Sequence, residues 1–403
     1  MKKEKLMPWL TSLWFDAKKR QILWQFLCAL GIIYIMSVAA GNVMASLARI
    51  NMVPSFRFLR MESHIDIGEA LIPMNNSSWN GRVILAGFLN TISISFLVIF
   101  FSTILGLTIG LCRLSSNWLV EKTARLYIEI IRNIPLILLL LIWYRAFFMR
   151  LPDIRNALIW GAEKSALGET TLRFSLSNRG LSMAWLRRSE HFTPWLYCLI
   201  VAAILSLGLW FFLVYREHKT GKQQRRFLYP LLLFILLGLV SYGALPHAPL
   251  QKDIPVMGRF NITGGLQVSA EWFSLFSGLI LYTSAFIAEI FRAGIQGIPK
   301  GQLEAARSLG LTRREIIRLI VVPQAKVVII PPLTSQYLGV AKNTSLGVVI
   351  GFPDLFSLTG TIINQTGRAL EMILIAMGIY LALSLLTSLG MNIYNKQVQI
   401  KER

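Results

Sequence analysis

Acidic residues are scarce in this chain. Only 20 Asp and Glu stand against 41 Lys and Arg in 403 residues, and charged residues of all kinds make up 15% of it. A soluble domain carries about 25%, so the chain is too poor in charge for a water-facing surface. Histidine and cysteine are also few, at 4 and 3. His64, His191, His218 and His247 are scattered through loops. Cys28, Cys112 and Cys198 lie in or beside apolar segments without metal-ligand spacing, and read as buried thiols. No zinc cluster and no Ser/His/Asp nucleophile pattern is present. No Gly-x-x-x-x-Gly-Lys-Ser/Thr loop occurs either. The nearest fragment, Thr220-Gly221-Lys222-Gln223, lacks the first Gly and the hydroxyl residue after Lys. The chain is therefore expected to be no enzyme and to carry no metal or cofactor. Any ATP chemistry must come from another chain.

Long apolar runs take the place of these features. Hydrophobic residues are 54% of the chain, and the runs approach or exceed the ~20 residues that cross a bilayer. The expected fold is an all-α polytopic membrane protein of about eight spans. These run near 22–43, 83–111, 126–148, 194–215, 227–245, 270–291, 327–352 and 370–394. Pro135 should kink the third. Pro331-Pro332 and the polar break Lys342-Asn343-Thr344-Ser345 fall inside the seventh. The first run is too long for a removed signal peptide and reads as a retained anchor. Trp14, Trp24, Trp143 and Trp160 suit interface anchors.

The excess of +21 charges raises the possibility of nucleic acid binding. The basic residues instead cluster in short loops between apolar runs, which is the positive-inside pattern. Arg216 to Arg226 holds five Lys and Arg in eleven residues, and seven fall between Arg292 and Lys326. These loops are expected in the cytoplasm, with both termini. The insert 149–193 is placed outside by this count, although it carries seven Lys and Arg against four acids.

One polar block lies between the sixth and seventh runs. Gln302 to Leu309 is built of helix formers, and Gly310 suits a left-handed residue that ends a helix. Thr312-Arg313-Arg314-Glu315 reads as a capping box that starts a second helix, with Pro323 interrupting it. By spacing alone this is an amphipathic loop with a helix–Gly–helix shape.

Glu304-Ala305-Ala306-Arg307-Ser308-Leu309-Gly310, followed by Ile320-Val321-Val322-Pro323, resembles the cytoplasmic loop of binding-protein-dependent ABC importer permeases. Val322 departs conservatively from the Leu usual in that family. The pattern continues in Tyr282 to Ile295 and in Lys342 to Gly347, and resembles the polar and general L-amino acid branch over 82–150 and 270–395. The resemblance implies a type I permease core with extra N-terminal and central spans. The segments would be an N-terminal tail, anchor and periplasmic stretch (1–81), a first core part (82–150), a periplasmic insert with two extra spans (151–269), a second core part (270–395) and a cytoplasmic tail (396–403).

The resemblance further implies a coupling surface at Glu304, Ala305, Ala306, Arg307, Leu309 and Gly310. This surface would dock on an ABC ATPase dimer that binds ATP-Mg. The other implied partners are a second permease subunit, expected to be a different chain, a periplasmic amino acid-binding protein and the lipid of a bacterial inner membrane. Substrate-path candidates are Glu129, Arg132, Lys342, Asn343, Thr344 and Ser345. Glu129 and Arg132 share a helix face and can pair, as can Glu289 and Arg292; both read equally as snorkelling ion pairs. The break at 342–345 reads as an N-cap, and also as an unwound turn lining a cavity. Neutral polar and acidic amino acids such as glutamine and glutamate are the expected substrates. A secondary transporter driven by an ion gradient is the main rival, and a non-transporting scaffold the second.

The orientation is testable by labelling. In intact cells, a cysteine placed at Lys222 should resist an impermeant thiol reagent that reaches the periplasm, and one placed at Asn76 should react. The reverse pattern would put the polar block on the wrong side.

Overall fold

The computed structural model describes residues 17–49, 55–75, 77–164, 170–220, 227–258 and 261–398. Trp14, most of the basic N-terminal segment, Asn76, Lys222, Lys401 and Arg403 lie outside the described residues. The chain is mostly helical. Its helices are α1 (Ala17–Arg49), α2 (Asn80–Cys112), α3 (Trp118–Asn133), α4 (Leu136–Ile142), α5 (Phe192–Thr220), α6 (Leu228–Ala244), α7 (Ala270–Gln296), α8 (Lys300–Ser308), α9 (Val322–Asn343), α10 (Leu355–Thr366) and α11 (Ala369–Val398). Six stretches are long and apolar enough to cross a membrane: Arg20–Ser46, Asn80–Cys112, Phe192–Glu217, Ala270–Gln296, Arg313–Ile350 and Ala369–Val398. The α3–α4 pair makes a seventh if counted as one bent span, and α6 is apolar but only 17 residues long. The expected eight is reached only when both are included.

Two spans differ from the sequence reading. Pro135 does more than kink the third, since Trp118–Asn133 and Leu136–Arg150 meet at 105°. A residue before proline is driven out of the helical region, and Ile134 sits at φ −95°, ψ 125°. The seventh starts earlier than Val327. A helical turn at Arg313–Glu315 passes through a π-helical stretch, Ile316–Val321, straight into α9. Pro323 lies inside this continuous helix, directly after the π-helical stretch whose wider turn accommodates its missing N–H, so it does not interrupt the helix.

Helices α2 and α7 form the closest-packed pair. A Cβ built on Gly106 would lie 2.6 Å from Ile287 Cγ2 and 3.0 Å from the Ser284 carbonyl oxygen, and one on Gly110 would lie 2.8 Å from the Ala288 carbonyl. Lipid tails are as apolar as the helices, so close backbone approach at small residues is what holds such pairs. Around this contact Ile94, Val98, Leu136, Leu140, Leu275, Leu279, Val340, Ile350 and Phe352 form one buried cluster. Cross-helix hydrogen bonds fix the neighbours. Tyr127 donates to the Leu281 carbonyl at 2.8 Å, and Trp143 Nε1 donates to Ser277 Oγ at 2.8 Å. Trp143 is therefore an inter-helix link rather than an interface anchor. By contrast α1 is exposed wherever its side chains are described, with Trp24 58% exposed. Cys28 and Cys198 are exposed on helix surfaces, not buried, because α1 and α5 lie outside the packed core.

The segment 151–269 also departs from an all-helical reading. The insert 149–193 contributes β1 (Leu158–Lys164), β2 (Thr170–Ser177), β3 (Gly180–Met183) and β4 (Trp185–Arg188), and the stretch before α7 contributes β5 (Leu250–Asp253), β6 (Val256–Met257), β7 (Ile262–Thr263) and β8 (Leu266–Ser269). Strand β2 carries β1 on one edge, with β3 and β6 on the other, and β3 pairs with β8. Trp160 lies on β1, its ring 5.3 Å from Phe174. Leu172 and Ile262 are buried, and along β3 buried Gly180 and Ser182 alternate with half-buried Leu181 and Met183, the period of two that a half-covered sheet shows. Strand β8 runs directly into α7, whose first turn is capped by Ser269 Oγ accepting from Trp272 N at 3.0 Å. The Ser269 N–H is in turn held by Glu69 Oε1 at 2.5 Å. Burial pushes the Glu69 carboxyl above its ordinary range, and this hydrogen bond only partly opposes the rise.

Overfilling the α2–α7 contact should unfold the core. Gly106→Leu should lower the thermal unfolding midpoint of the purified protein, at a cost of about 1–3 kcal/mol or more. Gly208→Leu on α5, with no atom within 4 Å of its added Cβ, should change it little. Equal midpoints for the two variants would show that the α2–α7 approach is not limiting.

Candidate functional site

The block around Gly310 is a small, locked projection. In α8, Ala306 is 3% exposed, and Leu303, one turn earlier, packs against the core cluster that includes Ile298, Ala325 and Ile329. Glu304, Ala305, Arg307, Leu309 and Gly310 all face out, Leu309 at 79% exposure. Of the six residues expected on a coupling surface, Ala306 therefore anchors the block from beneath rather than presenting it. The turn is closed by Gly310 N donating to the Arg307 carbonyl at 2.9 Å and Leu311 N to the Ala306 carbonyl at 3.2 Å. Gly310 has φ +77°, where a Cβ is strained. The capping box follows as expected: Glu315 N donates to Thr312 Oγ1 at 3.4 Å, and Thr312 N donates to Glu315 Oε2 at 2.8 Å.

The substrate-path candidates are not gathered in one place. Glu129 accepts from Arg125 Nε at 2.7 Å, one turn back, instead of pairing with Arg132. Arg132 lies over the Phe286 ring at 5.1 Å, a cation–π contact. Glu289 and Arg292 do pair. The break at 342–345 is neither capped nor unwound. Helix α9 tightens at Asn343 into a 3-10 stretch, Thr344–Ile350, and Asn343 makes no side-chain cap. Thr344 and Ser345 hydroxyls fold back onto the Ala341 and Lys342 carbonyls at 2.9 and 2.6 Å. The backbone stays helical, so this stretch is not the unwound turn expected.

Lys342 and Ser345 nevertheless border a cleft of about 560 Å³, walled mainly by Phe356, Thr359, Ile373, Met377 and Tyr380. At its back is a polar node that sequence reasoning missed. Asp354 is fully buried and caps α10, accepting from Ser357 N at 2.8 Å and from Tyr380 Oη at 3.2 Å. The Thr91 and Thr344 hydroxyls lie beside the same phenol. Asn90 Nδ2 donates to the Pro353 carbonyl at 3.0 Å and to the Glu69 carbonyl at 2.9 Å. Leu355 N donates to Thr91 Oγ1 at 3.1 Å. The signal was present: Asp354 directly precedes the apolar run of α10, the position of an N-cap. Burial pushes the Asp354 carboxyl up to about 6, the donors around it limiting the rise.

Long apolar helices, one bent helix pair and a packed helical core define a polytopic helical membrane protein. The family model for "Binding-protein-dependent transport system inner membrane component" matches residues 227–400. The general L-amino acid transport system permease protein AapQ of Rhizobium johnstonii is 40% identical, over 97% of this chain and 95% of that protein. The glutamate/glutamine/aspartate/asparagine transport system permease protein BztB of Rhodobacter capsulatus is 35% identical, over 98% and 97%. YhdX of Escherichia coli (strain K12) is 42% identical, over 95% of both chains. The chain belongs to the binding-protein-dependent transport system inner membrane components, the permease subunits of ABC transporters, which are not themselves enzymes.

The Asp354 node should make stability depend on pH. Its folded pKa lies above the ordinary value of 3.8, so the folded chain holds this proton more tightly than the unfolded one. Stability should therefore fall as pH rises from about 4 through about 6. Asp354→Asn should flatten that dependence in thermal unfolding measured across the same window. An unchanged profile would remove Asp354 as its source.

Proposed function

We propose that this chain is the membrane permease of an ATP-driven amino acid importer and couples to a separate ATPase through the Glu304–Gly310 projection. The observation that carries the coupling reading is the shape of that projection. Four side chains, Glu304, Ala305, Arg307 and Leu309, stand exposed on a turn locked by Gly310 and the Thr312–Glu315 box, and anchored by Ala306. An exposed leucine on a rigid base is a poor feature for solvent and a good one for a groove.

Amino acids as cargo follow from the names of AapQ and BztB. The four substrates in the second name support neutral polar and acidic ones, and Lys342 at the cleft mouth suits a carboxylate. The ATPase dimer would bind ATP-Mg. A second, different permease subunit would complete the path, and a periplasmic binding protein would deliver the substrate. The chain would sit in a bacterial inner membrane with both termini in the cytoplasm. Each ligand moves such a cycle only by binding its two states unequally.

The rival secondary transporter needs a carboxylate free to take the driving ion. Glu129, Glu289 and Glu371 are each paired, with Arg125, Arg292 and Arg368, and Asp354 is engaged as the cap of α10, which favours the ATP-driven reading.

Two variants test the coupling. Gly310→Val puts a β-branched residue at φ +77°, strained by at least ~1 kcal/mol. Leu309→Ala removes the knob and leaves the turn intact. Both should reduce uptake and ATPase association while the chain still inserts. Normal uptake with normal ATPase association in both would refute the assignment.

A further inference from the structure

The insert 149–193 holds seven Lys and Arg against four acids, an excess that the transport cycle does not use. Arg173 is neutralised by Glu163 at 2.7 Å. Arg187 and Arg188 are placed differently. They lie on β4, which pairs only with β5, and this two-stranded ribbon stands apart from the six-stranded sheet. All four β4 residues are exposed. A cleft of about 490 Å³ opens at the base of the ribbon, lined by Arg187, Arg188, Lys252, His191, His247 and two acids, Glu190 and Asp253.

Aromatic residues set the depth of this cleft in the bilayer. Strand β4 enters α5 at Phe192 after three residues, and α6 ends at Ala244, six residues before β5. At these helix ends Phe192 meets Trp195 at 5.9 Å, and Trp195 meets Tyr242 at 5.7 Å. Tyr242 donates to the Leu250 carbonyl at 3.5 Å. A Trp–Tyr cluster at the end of apolar helices marks the headgroup level. Away from this end, Ile204, Leu205, Leu207, Leu231, Leu236 and Leu239 are exposed on the α5–α6 hairpin, as lipid contact requires. The cleft therefore opens into the headgroup layer. Arg188 is held over the Phe192 ring at 4.7 Å, and Trp185 and Leu186 project exposed from opposite faces of the ribbon.

We propose that this cleft binds the headgroup of an aminophospholipid. Arg188 and Lys252, which share one face of the ribbon, take the phosphate, and Glu190 takes the amine. On the other face Asp253 lies 4.0 Å from Arg187 and offsets it. Arg188 and Lys252 against Glu190 leave the site positive by one. That mixture suits a headgroup carrying both signs better than a purely anionic one. The α5–α6 hairpin packs on little besides itself, and a bound lipid would tether its outer end.

The test is native mass spectrometry of the permease purified in its complex and titrated with phosphatidylethanolamine. The parent should retain the lipid. Arg188→Ala with Lys252→Ala should lose affinity about fivefold per charge removed, Arg188→Lys should keep it, and Arg173→Ala should have no effect. Unchanged retention in the double variant, or equal loss in Arg173→Ala, would overturn the proposal. So would inorganic phosphate binding as tightly as the lipid. Weaker binding-protein association with unchanged lipid retention would also overturn it, and would assign the ribbon to a protein partner.

Discussion

The close approach of α2 and α7 at Gly106 and Gly110 is the constraint on which the other contacts depend. No hydrophobic force drives these helices together inside a bilayer, so their contact rests on shape. Once they are in register, the Ser284 hydroxyl meets Tyr127 at 2.8 Å, which seats α3. Ile287 then joins Ala325 and Ile329 in one cluster, which seats the start of α9. That cluster also takes Ile298 and Leu303, so the base of the projecting block is built from the same helix that packs on α2. Packing therefore joins α7 to the base of the block that carries Leu309, the connection that the proposed coupling needs.

The other end of α7 is held differently. Ser269 caps it, Glu69 holds Ser269, and Asn90 on α2 reaches both the Glu69 and Pro353 carbonyls. Polar groups at this depth must find partners inside the protein, and here they join the sheet, α2, α7 and α10. The cleft bordered by Lys342 and Ser345 lies against that network through Asp354 and Tyr380. Movement of α7 can thus be felt at both ends, at the projection and at the cleft.

Much of this was legible in the sequence. Apolar run length located the long helices because bilayer thickness sets it. Gly310 and the Thr312–Glu315 box were readable because caps are local chemistry. Other features depend on distant partners. Arg125, one turn before Glu129, was as available locally as Arg132, and it is distant Phe286 that draws Arg132 away. The polarity of 342–345 pointed to a break, yet its hydroxyls bond back to their own helix and leave the backbone coiled. The insert sheet was hidden because β2 pairs with strands up to about ninety residues away, and its alternation was masked by charge. Pro323 and Pro135 show the limit of a residue rule: one is absorbed beside a π-helical turn, the other divides a span.

The most direct measurement is uptake of labelled glutamate and glutamine into proteoliposomes holding the complete complex, with a binding protein outside. The account predicts uptake that requires enclosed ATP, stops with orthovanadate and survives collapse of ion gradients. Uptake that proceeds on an ion gradient without ATP would contradict it.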